Sequence, residues 1–207
     1  MNLFPNLKKG KWIELNLNDE SKKTNIDVLD PVSFDKWIHE LEKERNANYS
    51  WGGFLEDRSY IWRNHPGAKN GNPSLIHLGI DYNVPAGTKV AILADGEVVH
   101  VMQNEDNSDG WGGRIIWRLE NGNYLVYGHL KKNIKFKVGD KFKKGDIIGE
   151  IGTPDVNGGW FPHLHVQIID KIFFDKFKDK KDIDGYLPKG HELLKHIINP
   201  ERFISFD

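Results

Sequence analysis

The feature that most constrains the fold is a series of short β-prone runs between Leu75 and Ile169. Runs such as RIIWRL and NYLVYGHL alternate with turn-forming residues, and Asn121-Gly122 between these two runs is typical of a hairpin turn. Six or more strands at this spacing favour a compact antiparallel β-barrel or sandwich. The sequence therefore predicts a mainly β protein.

The residues before this region have a different pattern. Residues 1–73 are rich in aromatic side chains, and Asp30-Pro31-Val32-Ser33 is typical of a helix start. We expect one helix from about Ser33 to Arg45, within an N-terminal extension that packs on or near the cleft of the β domain. Trp51 and Trp62 are expected to pack against the main sheet. The apolar residues of the helix recur at helical spacing, which predicts core packing: Phe34, Trp37, Ile38 and Leu41.

The β domain is interpreted as residues 74–207. Its segment 171–198 is a charged insertion, which we expect to be a solvated surface loop that ends in a short C-terminal helix, HELLKHII. The closing residues NPERFISFD are expected to pack back on the sheet.

Composition excludes several classes of function. The 29 Lys and Arg nearly balance the 30 Asp and Glu among 207 residues, so charge gives no case for nucleic acid or an anionic membrane as partner. The absence of cysteine excludes disulfides and thiolate metal sites. No apolar run approaches the ~18 residues of a membrane span. No secretion signal is seen, so we expect a cytoplasmic protein, or a periplasmic or extracellular one if it is processed or exported by another route.

The stretch WFPHLHVQI carries the first candidate functional residues. In a strand, His163 and His165 share one face while Leu164 and Val166 share the other. Two imidazoles aimed at one place suit a reactive site, although a core histidine beside an exposed one is the plainer reading of this stretch alone.

A second constellation is IHLGIDYNV, in which His77 and Asp81 are four residues apart. In a straight strand, such residues are roughly 13 Å apart, which is too far to share one ion. Gly79 lies between them and tolerates a bend that would bring them together. The alternative for this segment is a surface aspartate and an unrelated histidine.

A fifth candidate is His129, which ends the apolar strand YLVYGHL. Four histidines and one aspartate on the elements of one barrel offer the imidazole and carboxylate ligands that zinc favours. A catalytic zinc site uses three protein ligands, so two residues remain for acid–base work.

The motifs HLGID at 77–81, YGHL at 127–130 and PHLH at 162–165 resemble those of the lysostaphin-type, LytM-like zinc metallopeptidases. This family consists of peptidoglycan endopeptidases with a barrel-sandwich-hybrid type of fold. The resemblance covers about residues 74–170, with PAGTKVAILADGEV and VGDKFKKGDIIGEIG as similar connecting strands.

The resemblance implies that His77, Asp81 and His165 bind one zinc ion and that His129 and His163 are catalytic. The implied activity is hydrolysis of peptide bonds, in peptidoglycan stem peptides or cross-bridges, through a zinc-bound water. The implied partner is therefore peptidoglycan or another peptide substrate, and the sequence gives no prediction of oligomeric state.

Three other readings differ in what they require. A biotinyl or lipoyl carrier needs a modifiable lysine in a hairpin where this chain has none between Lys144 and Lys171. A phosphocarrier barrel needs two facing histidines but no aspartate ligand and no H-x-H. The strongest alternative is a non-catalytic module on the same fold that regulates a partner cell-wall hydrolase.

Overall fold

The computed structural model describes residues 3–24, 26, 28–64, 74–103 and 110–203. Its main sheet has the strand order β1-β2-β4-β11-β8-β7-β6-β9, with β13 paired to β11; β5 pairs with β10 and β3 with β12. The strands are β1 (Trp12–Glu14), β2 (Tyr49–Gly52), β3 (Ser74–His77), β4 (Ile80–Asn83), β5 (Lys89–Ala91), β6 (Gly96–Gln103), β7 (Gly113–Leu119), β8 (Tyr124–Leu130), β9 (Lys141–Phe142), β10 (Ile147–Glu150), β11 (His163–Ile169), β12 (Tyr186–Pro188) and β13 (Ile197–Ile198).

The prediction of a mainly β fold is confirmed. Strands β7 and β8 pair antiparallel and are joined through Asn121-Gly122, as the hairpin signal predicts. Among the described strands, β1–β2 is the one parallel pair, the other pairings are antiparallel, and the main sheet forms an open path.

In the described residues, the α-helices are fewer than the strands. They are α1 (Leu17–Ser21), α2 (Pro31–Glu44) and α3 (Lys171–Lys176), with 3-10 turns at Lys180–Asp182, Glu192–His196 and Pro200–Phe203. The short C-terminal helix of the sequence prediction is thus a 3-10 turn followed by β13.

Helix α2 is the helix that the sequence predicts from about Ser33. It begins two residues earlier, because the Asp30 side chain accepts the backbone N–H groups of Val32 and Ser33 while Pro31 occupies the first turn. The expected apolar stripe is buried.

Strand β11 lies in the middle of the main sheet and has two chemically different faces. Leu164, Val166 and Ile168 belong to the main hydrophobic core, between the large sheet and the β5–β10 pair. His163, His165 and Gln167 alternate with them and are also buried. The two imidazoles therefore share the opposite face, as the sequence predicts.

The prediction of a solvated loop over 171–198 is wrong for much of that segment. Phe173 and Ile183 are fully buried in a second apolar cluster, and β12 pairs with β3. Its lysines and aspartates lie largely on the outer side, so charge in the sequence concealed the apolar residues that pack inward.

The N-terminal extension packs through a third apolar cluster. Phe34 of α2 lies 4.5 Å from Phe161 of the β domain, measured between ring centroids, and Trp62 lies 5.2 Å from Trp160. Trp51 packs against the main core as expected, whereas Trp62 belongs to this cluster instead. In the described residues, no helix is both long and apolar enough to cross a bilayer.

One prediction falls partly outside the described part. It is the packing of the closing residues NPERFISFD, of which 204–207 are not described. The division into two domains at residue 73 stays a prediction, since the described ranges stop at 64 and resume at 74.

Candidate metal centre

Three side chains on three strands direct one donor atom each to a common point. His77 Nε2 lies 3.0 Å from His165 Nδ1 and 3.3 Å from Asp81 Oδ1, and the last two atoms are 3.1 Å apart. Donors about 2.1 Å from a tetrahedral zinc ion lie roughly 3.4 Å from one another. The triangle therefore has the size and the donor chemistry of three ligands to one dication.

The bend between His77 and Asp81 makes this triangle possible. Strand β3 ends at His77, and β4 begins at Ile80 in a different sheet. Gly79 occupies the bend, where an added Cβ would lie 2.6 Å from Cε1 of His165. Only glycine therefore allows the chain to pass this close to the third donor residue.

Each histidine of the triangle has its other ring nitrogen in a hydrogen bond. His77 donates its Nδ1–H to the carbonyl of Gly53 at 2.8 Å, and His165 donates its Nε2–H to Oε1 of Gln167 at 3.1 Å. These contacts fix the tautomers and leave His77 Nε2 and His165 Nδ1 as electron-pair donors.

A buried arginine completes the surroundings of Asp81. Arg58 donates from Nη2 to Oδ2 of Asp81 at 2.8 Å and from Nε to Glu56 at 2.8 Å. Its third contact is from Nη1 to the Tyr186 hydroxyl at 2.9 Å. Although burial acts to raise it, the neighbouring His77 and Arg58 hold the pKa of Asp81 well below its usual value, so the carboxylate is ionised.

The other two histidines face each other beside the triangle. The ring centroids of His129 and His163 are 4.2 Å apart, and His163 Nε2 lies 3.8 Å from Oδ1 of Asp81. His129 donates its Nδ1–H to the Asn157 carbonyl at 2.8 Å, and His163 does so to the Phe161 carbonyl at 2.7 Å. Each ring thereby keeps Nε2 as the nitrogen that can take up a proton.

Burial favours the neutral form of three imidazoles of the site, those of His77, His129 and His163. The five candidate residues are 1–7% exposed. Burial and the charge of Arg58 lower the pKa of His77 to about 4, and burial also lowers the pKa values of His129 and His163. Neutral rings can act as metal ligands and as proton acceptors near pH 7.

His129 has an unusual backbone. Its φ is 64°, in the left-handed region, and the conformation is held by two hydrogen bonds, from its N–H to the Trp111 carbonyl and from Gly152 N–H to its own carbonyl. Left-handed backbone in residues other than glycine is enriched at functional sites, where it sets the direction of a side chain.

The structure brings together all five candidate residues that the sequence singled out. It also adds Arg58, Gln167 and Tyr186, which sequence reasoning missed. Gln167 had a signal, because it shares the face of His163 and His165 two residues further along β11. Arg58 and Tyr186 had none, since they lie in segments far from any motif.

A cavity of about 110 Å³ opens at the triangle. Its walls combine the site residues with aromatic side chains from the extension, from β-domain loops and from the insertion: Phe34, Trp62, Trp111, Trp160, Phe161 and Tyr186. Trp62 donates its indole N–H to the Tyr186 hydroxyl at 3.2 Å, so the two flanking segments meet at this wall.

Comparison with known proteins gives a family match. Residues 75–179, slightly more than half of the chain, match Peptidase family M23. The glycyl-glycine endopeptidase ALE-1 of Staphylococcus capitis is 34% identical over 137 residues, which cover 63% of this chain and 33% of that protein.

Two further proteins are similar to this chain. The DD-carboxypeptidase/endopeptidase Mpg of Neisseria gonorrhoeae is 31% identical over 121 residues, which cover 56% of this chain and 26% of Mpg. The catalytic domain of lysostaphin from Staphylococcus simulans is a structural neighbour, with 24% identity, a TM-score of 0.44 and coverage of 62% of this chain and 79% of that one. The chain thus spans a third or less of the length of these two curated relatives.

Proposed function

Because the chain belongs to Peptidase family M23, we propose that it is a zinc-dependent endopeptidase that hydrolyses peptide bonds of peptidoglycan. The observation that carries the proposal is the triangle of donors from His77, Asp81 and His165, with 3.0–3.3 Å sides, beside two further histidines. Two imidazoles and one carboxylate are a ligand set that zinc uses in hydrolases.

His77, Asp81 and His165 would hold the ion, and His129 and His163 would move protons. Zinc, when bound, supplies Lewis-acid polarisation of a carbonyl and lowers the pKa of a water to about 7. The neutral histidine pair can accept a proton at Nε2 from the attacking water and return it to the leaving amine. The Nδ1 contacts to backbone carbonyls hold both rings in place during these transfers.

The size of the cavity supports a substrate with small side chains. A volume of about 110 Å³ is below the roughly 300–1,000 Å³ of pockets that enclose a whole small-molecule ligand. Glycine or alanine beside the scissile bond suits such a space. ALE-1, a glycyl-glycine endopeptidase, is one of the relatives.

The test is incubation of the zinc-loaded protein with purified muropeptides, followed by mass spectrometry of the products. We expect product pairs whose masses sum to the substrate plus one water. The control is His163→Ala, which should retain zinc and leave the substrate intact. If protein with one bound zinc per chain cleaves neither muropeptides nor general peptides, the proposal is wrong and a regulatory module is favoured.

A further inference from the structure

Arg58 reaches the metal centre from outside the family match, which begins at residue 75. Its side chain is buried, at 4% exposure, and so is the side chain of Glu56. The backbone of this segment runs beside β3: Arg58 N–H donates to the Leu75 carbonyl at 2.9 Å, and His77 N–H donates to the Glu56 carbonyl at 3.0 Å. The segment that carries Arg58 is therefore hydrogen-bonded to β3, the strand that ends at His77.

Three contacts in three directions fix the orientation of the guanidinium. Nε donates to Glu56, Nη1 to the Tyr186 hydroxyl and Nη2 to Oδ2 of Asp81. The other oxygen of Glu56 accepts the backbone N–H of Asn18 at 2.8 Å, so the carboxylate that anchors Arg58 is itself held. A planar group with this many partners has one position available to it.

The two oxygens of Asp81 therefore have different roles. Oδ1 lies 3.1–3.3 Å from the donor nitrogens of His165 and His77, whereas Oδ2 is occupied by Arg58. A carboxylate without such a partner can offer both oxygens to a metal ion. An ion bound by one oxygen keeps a coordination position for substrate or water.

We propose that Arg58 is a positioning residue of the metal centre, which holds Asp81 so that only Oδ1 is offered to the ion. The inference rests on the proposed function, because it assumes that an ion binds at the triangle. The charge of Arg58 is balanced by Glu56, so the pair orients Asp81 without adding net positive charge beside a dication. Partners of this kind are worth about 10–100-fold in metal affinity.

The test is the double variant Glu56→Gln/Arg58→Met, which removes both charges together and so leaves the net charge beside Asp81 unchanged. Zinc affinity, measured by competition with a chelator, should fall about 10–100-fold. In the Co(II)-substituted protein, the visible bands should weaken, since Asp81 is then able to bind through both oxygens and raise the coordination number. A purely structural role would lower thermal stability and leave the Co(II) spectrum of the folded protein unchanged.

The matched control is Glu20→Gln/Arg45→Met, which makes the same two changes at a 2.8 Å ion pair elsewhere in the extension. Its zinc affinity and Co(II) spectrum should equal those of the wild type. Arg58→Lys keeps the positive charge but has a single donor group, so it should lose part of the zinc affinity. It is the variant to measure if the double variant does not fold.

Two results would overturn the inference, and they differ. Affinity within twofold of the wild type and an unchanged spectrum, in a folded variant, would show that Arg58 has no positioning role while the metal site stands. Wild-type protein that binds no zinc would instead refute the proposed function, and this inference with it.

Discussion

The two halves of the site are held by different kinds of contact. The proposed ligands are held mainly by hydrogen bonds to other side chains: His165 bonds Gln167 and Asp81 bonds Arg58, while His77 bonds the backbone carbonyl of Gly53. The Nδ1–H groups of His129 and His163 are instead bonded to backbone carbonyls, those of Asn157 and Phe161. Substitutions should therefore be able to separate metal binding from proton transfer, and the following experiments test that separation.

The largest effect is expected from His165→Ala. It removes one of three donors, so zinc binding should be lost at micromolar metal, and hydrolysis should fall by more than the about 10²–10⁴-fold that a missing acid–base group costs. Metal content and muropeptide turnover measure the two effects. His196→Ala, at a histidine that pairs with Asp170 at 2.7 Å, is the control and should retain both properties.

The opposite result is expected from two further variants, His129→Ala and His163→Ala, in which turnover is lost and the metal is kept. Turnover should fall about 10²–10⁴-fold, while zinc content stays at one ion per chain, because neither ring contributes a donor to the triangle. Loss of zinc from His163→Ala would contradict the separation and give weight to its 3.8 Å approach to Asp81.

Gln167→Leu tests the comparison at a residue that acts on metal binding only through His165. It removes the acceptor of the His165 Nε2–H, so zinc affinity should fall about 10–100-fold by chelator competition. Turnover at saturating zinc should change less than in the histidine-pair variants. Gln103→Leu, at a glutamine that bonds the backbone of Ile134 away from the site, is the matched control. An equal loss of affinity in both variants would refute the argument.

The smallest effect is a shift in thermal unfolding. Zinc at 100 times its dissociation constant stabilises the folded state by about 2.7 kcal/mol, which corresponds to roughly 5–11 °C for a domain of this size. Addition of a chelator should lower the Tm by that amount in the wild type and in His163→Ala. His165→Ala should show no shift; a full shift there would mean that zinc binds elsewhere.

Much of the fold could be predicted because its signals are local. Short β-prone runs with turn residues between them predict strands, and alternation along β11 correctly separates the imidazoles from the core residues. Gly79 also had a local signal, since two residues four apart in a strand meet only across a bend.

The missed features depend on contacts between distant parts of the chain. In the sequence, Arg58 is indistinguishable from a surface charge. In the fold, its Nη2 lies 2.8 Å from Oδ2 of Asp81. The insertion reads as solvated because its many charges outnumber the few residues, such as Phe173 and Ile183, that anchor it. Sequence spacing carries no information about such pairings.

The meeting of Trp62 and Tyr186 at the cavity has a practical consequence. Residues 75–179 contain the three proposed ligands and both histidines of the pair, but a fragment excised at those limits would leave behind Gly53, Arg58 and Tyr186. In this chain, the proposed metal centre therefore depends on residues outside the family match. A fragment that keeps the whole centre has to include the residues on both sides of the match, from Gly53 to Tyr186.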